Sequence, residues 1–264
     1  MMRPQAGQIV HGVASWIIAI LLLPLRKRTR AYVRARLAGE LVPVAETETR
    51  YGKIKFLCPA LLPFLRSAMT KEPETNAWID GLDRDAVFWD VGANIGAYTL
   101  YAAARGMRVC AFEPESSNYY VLSSNIDLND LNKKVTALNI GLSSWDGLGA
   151  FNVSSLEIGQ SGHELVKKSE TGRSIFAFSA RHLIARFGLP APNYLKVDVD
   201  GSELDVIRGI DLADAKLKEA QIELRQNGDA PEIYAMFAAA GFRAEPSLAG
   251  MNPAGSVTNV NFKR

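Results

Sequence analysis

The tightest constraint on the fold lies between residues 86 and 112. An apolar run, AVFWDV (86–91), stops at Gly92, the stretch Ala93–Arg105 is helical in pattern with Asn94 and Gly96 turning the chain into it, and a second apolar run, MRVCAF, fills 107–112. A short buried strand, a tight turn, a helix and another buried strand form a βαβ unit, and such units build parallel sheets. The rhythm continues, with SSNYYVLSSNIDLNDL (116–131) reading as a helix and VTALNI (135–140) as a third strand. Between 143 and 173 the pattern loosens around five glycines, only 149–153 is strand-like, and the stretch suggests a lid or binding loop. Order returns with helix 179–187, strand 193–199, helix 203–210, strand 219–224, helix 231–240 and closing strands near 242–245 and 257–262. The expected fold is α/β, doubly wound, with a reversed edge strand formed by the last two segments.

Size fits one such domain. With 264 residues, 48% of them hydrophobic, the chain is long enough for a single large core and short for two catalytic domains. Three segments are expected: a tail over 1–39, an accessory lead-in over 40–84 with a short strand at 51–57 and a helix at 74–82, and the main domain over 85–264. Cys58 and Cys110 are the only cysteines and both lie among apolar residues, which excludes a disulfide scaffold or a cysteine-built zinc site. Three histidines have no metal-type spacing, and the DxDG of 198–201 would put Lys196 and Ile207 at calcium-ligand positions, so no metal is expected.

Charge is unevenly placed. Residues 1–39 hold seven basic side chains and no acid, leaving 23 basic against 28 acidic residues in the rest. A nucleic-acid binder needs its cations on the binding domain, so that partner class is excluded. The tail reads as a hydrophobic and basic N-terminal helix: the uncharged run 9–25, at the short limit for a membrane span, is followed at once by RKRTRAYVRAR. No signal-peptide pattern is present, and the basic flank would hold everything after residue 26 in the cytoplasm. Two expectations stand side by side: residues 9–36 attach to a membrane surface, or the helix packs on its own domain or on a second subunit as a homodimer.

The turn at 90–96 carries chemistry. Asp90 arrives at the carboxyl end of the first strand, where nucleotides bind in doubly wound sheets. The spacing is G-x-N-x-G with an acid two residues before the first glycine, not the phosphate-cradling G-x-G-x-x-G. Such an acid repels phosphate and suits an amine-bearing cation, which points to S-adenosyl-L-methionine. Glu113 ends the next strand, where a carboxylate accepts both hydroxyls of an unphosphorylated ribose, and Pro114 opens the helix after it. Asp198 ends a later strand beside the turn Asp200-Gly201 and helix-opening Glu203, in position to take a proton from an attacking hydroxyl. Glu223 ends the following strand and is a further pocket candidate, with His163 and His182 as lesser candidates for the base.

Taken together, FWDVGANIGAYTLYAA, AFEPESSNYYVLSSNI, ALNIGLSS and YLKVDVDGSELDVIRG resemble the FkbM-type methyltransferases over roughly residues 70–225. The resemblance implies a Rossmann-like class I methyltransferase fold with a seven-stranded sheet, S-adenosyl-L-methionine as cofactor, and O-methylation of a sugar, glycan or lipid-linked hydroxyl. It places Asp90, Gly92, Ala93, Asn94 and Gly96 around the methionine moiety, Glu113 and Pro114 at the ribose and Asn139 to Gly141 at the adenine. Asp198, Asp200 and Glu203 are then the catalytic residues bordering the acceptor. The alternative is an inactive methyltransferase-like binding module tethered at a membrane.

Overall fold

The computed structural model describes residues 4–58, 72–153, 158–159, 164–169, 171–225, 228–246 and 257–264. His163 lies outside them. The chain divides into two compact units, Met1–Pro43 and Val44–Arg264.

The first unit contains α1 (Pro4–Leu22) and α2 (Lys27–Glu40). The single tail helix expected from the sequence is two helices, because Pro24 lacks the N–H and the ring clearance that a continuous helix needs. The Arg30 guanidinium donates to the carbonyl oxygens of Leu25 (2.6 Å) and Leu23, which lie in the turn between the two helices. Among the described residues no helix is long and apolar enough to cross a membrane. A spanning role for residues 9–25 therefore finds no support.

The second unit runs, in chain order, β1 (Val44–Thr49), β2 (Gly52–Leu57), α3 (Pro73–Gly81), β3 (Val87–Val91), α4 (Ala97–Arg105), β4 (Arg108–Phe112), α5 (Ser116–Leu128) and β5 (Val135–Leu138). There follow β6 (Gly141–Leu142), β7 (Gly147–Asn152), β8 (Glu164–Val166), β9 (Arg173–Phe178), α6 (Ala180–Phe187), β10 (Tyr194–Val197), α7 (Glu203–Arg208), β11 (Glu219–Arg225), α8 (Ala230–Ala239), β12 (Arg243–Pro246) and β13 (Val257–Lys263). Seven strands form the main sheet in the order β12-β13-β11-β10-β3-β4-β5. The five from β11 to β5 are parallel, and β13 runs antiparallel to both neighbours. A reversed strand is present as expected, but it lies one place in from the edge, and the edge strand itself is β12.

Strand β3 is buried on both faces and alternates between two cores. Phe88 joins Phe56, Trp78, Leu100 and Leu122 under β2, α3, α4 and α5, whereas Trp89 joins Phe112, Leu183, Ile207 and Phe237 under α6, α7 and α8. Each fully buried side chain of that size contributes roughly 1.5–3 kcal/mol. The sheet thereby gains helices on both sides, and the β1–β2 hairpin and α3 belong to the same body as the main sheet.

The loose stretch after β5 contains an unanticipated second sheet, in the order β6-β9-β7-β8. Its strands are two to six residues long. Gly149 and Gly172 lie where an added Cβ would meet neighbouring atoms at 2.4 Å and 2.8 Å, so the glycines that look like loop punctuation permit close strand packing.

Candidate active site

The chain leaves β3 toward β4 and β5 on one side and toward β10 and β11 on the other, so a crevice opens at the carboxyl ends of β3 and β10. Its wall at β3 is built by backbone. Gly92 has φ +82°, and a Cβ there would stand 1.8 Å from the Asp198 carbonyl oxygen, which locks the β3 turn against the end of β10. Gly92 and Ala93 both donate N–H to the Phe112 carbonyl at 3.0 Å. Asn94 is left-handed at φ 51°, and Gly96, at φ +95°, would press a Cβ into Leu122. These five residues are occupied by the turn, which is why α4 starts at Ala97 and not at residue 93.

Glu113 holds the turn from the next strand. Its Oε2 accepts the Asn94 N–H at 2.7 Å and its Oε1 accepts the Glu115 N–H at 2.8 Å. Burial pushes its carboxyl up to about 8, against the two backbone donors that favour the ionised form. A carboxylate oxygen has two lone pairs, so each keeps one for a ligand hydroxyl. Asn139 donates to the carbonyls of Glu113 (2.8 Å) and Pro114 (3.1 Å), fixing the segment that carries that carboxylate. Gly141 starts β6, where an added Cβ would reach Leu165 at 2.5 Å. Gly159 accepts from Asn94 Nδ2 at 3.2 Å and donates to Asn118 Oδ1 at 2.7 Å, so part of the 143–173 stretch closes over the glycine turn.

The other wall is built by side chains. Period-two alternation puts Asp90 and Lys196 on one face of adjacent strands, paired in register, with Gln221 and Asn261 next in the row. Asp90 is buried; its Oδ2 accepts from Thr99 Oγ1 at 2.6 Å, and its Oδ1 has no hydrogen-bond partner among the described residues. Burial raises its pKa, opposed by the Lys196 ammonium and the Thr99 hydroxyl. Lys196 Nζ lies 3.0 Å from Asp198 Oδ2 and 4.8 Å from the Tyr98 ring centroid. Burial would discharge this ammonium, but Asp198, Asp90 and Glu72 outweigh that and keep its pKa above the ordinary value. Asp198 itself is 27% exposed, within reach of a ligand.

Around Asp198 the carboxyl groups gather. Glu72, Asp198 and Glu223 each place an oxygen within 4.8 Å of the other two. Glu72 accepts from Tyr98 Oη at 2.9 Å and from Asn259 Nδ2 at 3.5 Å. Burial, Asp198's charge and a hydrogen bond to Asp198 push Glu223 up to about 8. The oxygens have the spacing of a cation site, but the Lys196 ammonium already supplies a buried positive charge to them. Asp200 (φ 58°) and Gly201 (φ +115°) make the turn after β10, and Glu203 Oε1 accepts the Gly201 N–H at 2.9 Å. Glu203 therefore braces this turn, with its pKa raised by burial. His182 Nδ1 pairs with Asp146 Oδ2 at 3.2 Å, and the ring stacks on Phe178.

The sequence reading of the motifs did not single out Glu72, Tyr98 or Lys196. For Lys196 a signal existed: a lysine within an apolar strand that must be covered on both faces needs a buried counter-charge. Glu72, on the lead-in, had none.

The family profile described as "Methyltransferase FkbM domain" matches residues 90–244. The chain belongs to the FkbM methyltransferase family. Among curated relatives, the "Hexuronic acid methyltransferase AglP" of Haloferax volcanii is 30% identical over 167 residues, covering 63% of this chain and 67% of that protein. "Methyltransferase sdnD" of Sordaria araneosa is 31% identical over 186 residues, covering 58% and 72%. Among solved structures, a precorrin-6y C5,15-methyltransferase from Geobacter metallireducens is 13% identical with a TM-score of 0.48, covering 73% of this chain and 87% of that one.

Family and sheet order together make this a class I methyltransferase fold, whose cofactor is S-adenosylmethionine. The residues present fit that group. An orphaned carboxylate oxygen on Asp90 suits an ammonium, and the open lone pairs of Glu113 suit a ribose diol.

Proposed function

We propose that the protein is an O-methyltransferase acting on a hydroxyl of a sugar, glycan or lipid-linked acceptor. The supporting observation is the Lys196–Asp198–Glu223 group, with Glu72 beside it, at the end of β10 against the Gly92 turn. Glu113 and the turn 90–96, with Asn139 to Gly141 behind it, hold the cofactor, which when bound supplies an electrophilic methyl group on a sulfonium.

The chain's own task is to position a hydroxyl and remove its proton. Holding two reactants in line contributes roughly 7–11 kcal/mol in well-oriented systems. Asp198 takes the proton, because Lys196 fixes one of its oxygens and the side chain remains reachable. Lys196 is the positioning residue for that carboxylate, seated over the Tyr98 ring. Burial and Asp198's charge hold the Glu223 carboxyl above the usual carboxylate range, so its ionisation at higher pH adds a negative charge beside Asp198 and strengthens the base. Asp200 and Glu203 shape the turn beside it.

A sugar acceptor is supported by the relative whose name gives hexuronic acid. A hydroxyl is favoured over a carboxylate as the methylated group, because a carboxylate would meet three carboxyl groups and one ammonium here. The test is transfer of labelled methyl from S-adenosylmethionine to hexuronic acid glycosides and neutral glycosides. The expected product is a base-stable methyl ether. A base-labile ester would overturn the hydroxyl assignment, and cofactor binding without transfer to any acceptor would favour a binding module.

A further inference from the structure

We propose that the N-terminal unit is an interfacial anchor that docks on the surface of an anionic lipid bilayer. Among the described side chains of α1, the exposed large apolar ones are Val13, Trp16, Ile17, Ile20 and Leu21, followed by Leu23 just beyond the helix. The five on the helix are spaced i, i+3, i+4, i+7 and i+8, which puts them on one face as a single stripe. Water is a poor partner for such a stripe, and proteins seldom expose one without an occupant. No helix among the described residues is long and apolar enough to cross a bilayer, so the stripe suits a helix lying in the interface plane. Trp16, 68% exposed, has the amphipathic ring that settles at headgroup level.

Charge selects the occupant. The chain passes directly from this stripe into α2, which buries no residue and carries Lys27, Arg28, Arg30, Arg34 and Arg36, with Arg26 immediately before it. Arg30 is committed to the turn after α1, and Arg36 pairs with Glu40 at 2.8 Å. Arg26, Lys27, Arg28 and Arg34 make no ion pair among the described residues. Four uncommitted cations next to an exposed apolar stripe complement a surface that offers both hydrocarbon and negative headgroups. A second copy of the same unit would bring cations against cations.

This inference stands apart from the methyl-transfer reading, because lipid binding is read without cofactor or acceptor. The full chain is floated with phosphatidylcholine vesicles and with vesicles of mixed phosphatidylcholine and phosphatidylglycerol. Binding to the mixed vesicles is expected to be at least tenfold tighter and to weaken in ~1 M salt, where the screening length is about 3 Å. Each basic residue near such a surface is worth about fivefold. Replacing Arg26, Lys27, Arg28 and Arg34 together by Gln is therefore expected to weaken binding more than a hundredfold. Trp16→Glu with Ile20→Glu is expected to weaken it at least tenfold, with circular dichroism unchanged because both sites are exposed. No binding to either vesicle, equal binding to both, or a dimer that Ile20→Glu dissociates without any lipid binding would overturn the proposal.

Discussion

The two walls of the crevice are made differently. At the ends of β3 and β4 the chain uses backbone: positive φ at Gly92, Asn94 and Gly96, a shared carbonyl at Phe112, and one carboxylate, Glu113, that accepts two N–H groups. At the ends of β10 and β11 it uses side chains: one buried ammonium among Asp90, Asp198 and Glu72, with Glu223 joined to Asp198. The first kind of wall is written in consecutive residues and tolerates almost no steric change. The second is assembled from four distant segments and depends on charge balance. The difference teaches where substitutions should act: variants in the backbone wall lose the cofactor, whereas variants at Asp198 and Glu223 keep it and lose rate or pH response.

The largest expected effect joins both walls. Gly92→Val puts a branched side chain where even a Cβ would stand 1.8 Å from the Asp198 carbonyl, at a φ disfavoured for any L residue. It is expected to destabilise the protein by more than ~3 kcal/mol and to weaken cofactor binding at least a hundredfold. Thermal melting and titration calorimetry check this, and near-normal affinity would break the distinction between the walls. Asp198→Asn is next. Loss of the base is expected to lower kcat by ~10²–10⁴ with cofactor affinity held within about threefold. A parallel loss of affinity would place Asp198 in the cofactor wall.

Glu223→Gln tests the charge wall more finely. Burial and Asp198's charge push Glu223 up to about 8, so wild-type kcat, measured with saturating cofactor so that Glu113 does not contribute, is expected to rise with pH as Glu223 ionises. The amide cannot ionise and mimics the protonated acid, so the variant is expected to keep the low-pH rate and lose that limb. An unchanged profile would remove Glu223 from the network. The smallest effect belongs to Asn139→Ala, which deletes two donors to the Glu113 and Pro114 carbonyls. About 1 kcal/mol of stability and a two- to fivefold weaker cofactor complex are expected, with kcat unchanged.

Legibility in the sequence follows the same division. The β3 turn was readable because strand, glycines and the acids Asp90 and Glu113 lie within 24 residues, and only a parallel sheet accommodates that spacing. The helix start was misplaced by four residues, because left-handed turn residues resemble helix residues in composition but cannot join a right-handed helix. The β6–β9 sheet escaped notice since short strands spaced by glycine show no sustained alternation. Asp198 and Glu223 could be placed at strand ends, but their union with Glu72 depends on where α3's leading residue packs, which no local pattern records. Tyr98 reads as an ordinary helical aromatic until Lys196 is found over its ring.

The central claim is that the crevice between the β3 turn and Glu113 is shaped for an amino acid nucleoside without phosphate. A crystal structure of the full chain with S-adenosylhomocysteine tests it most directly. The account predicts the amino acid end of that compound against Gly92 and its ribose hydroxyls on the Glu113 carboxylate. Density elsewhere in the molecule, or a ribose that Glu113 does not touch, would contradict it.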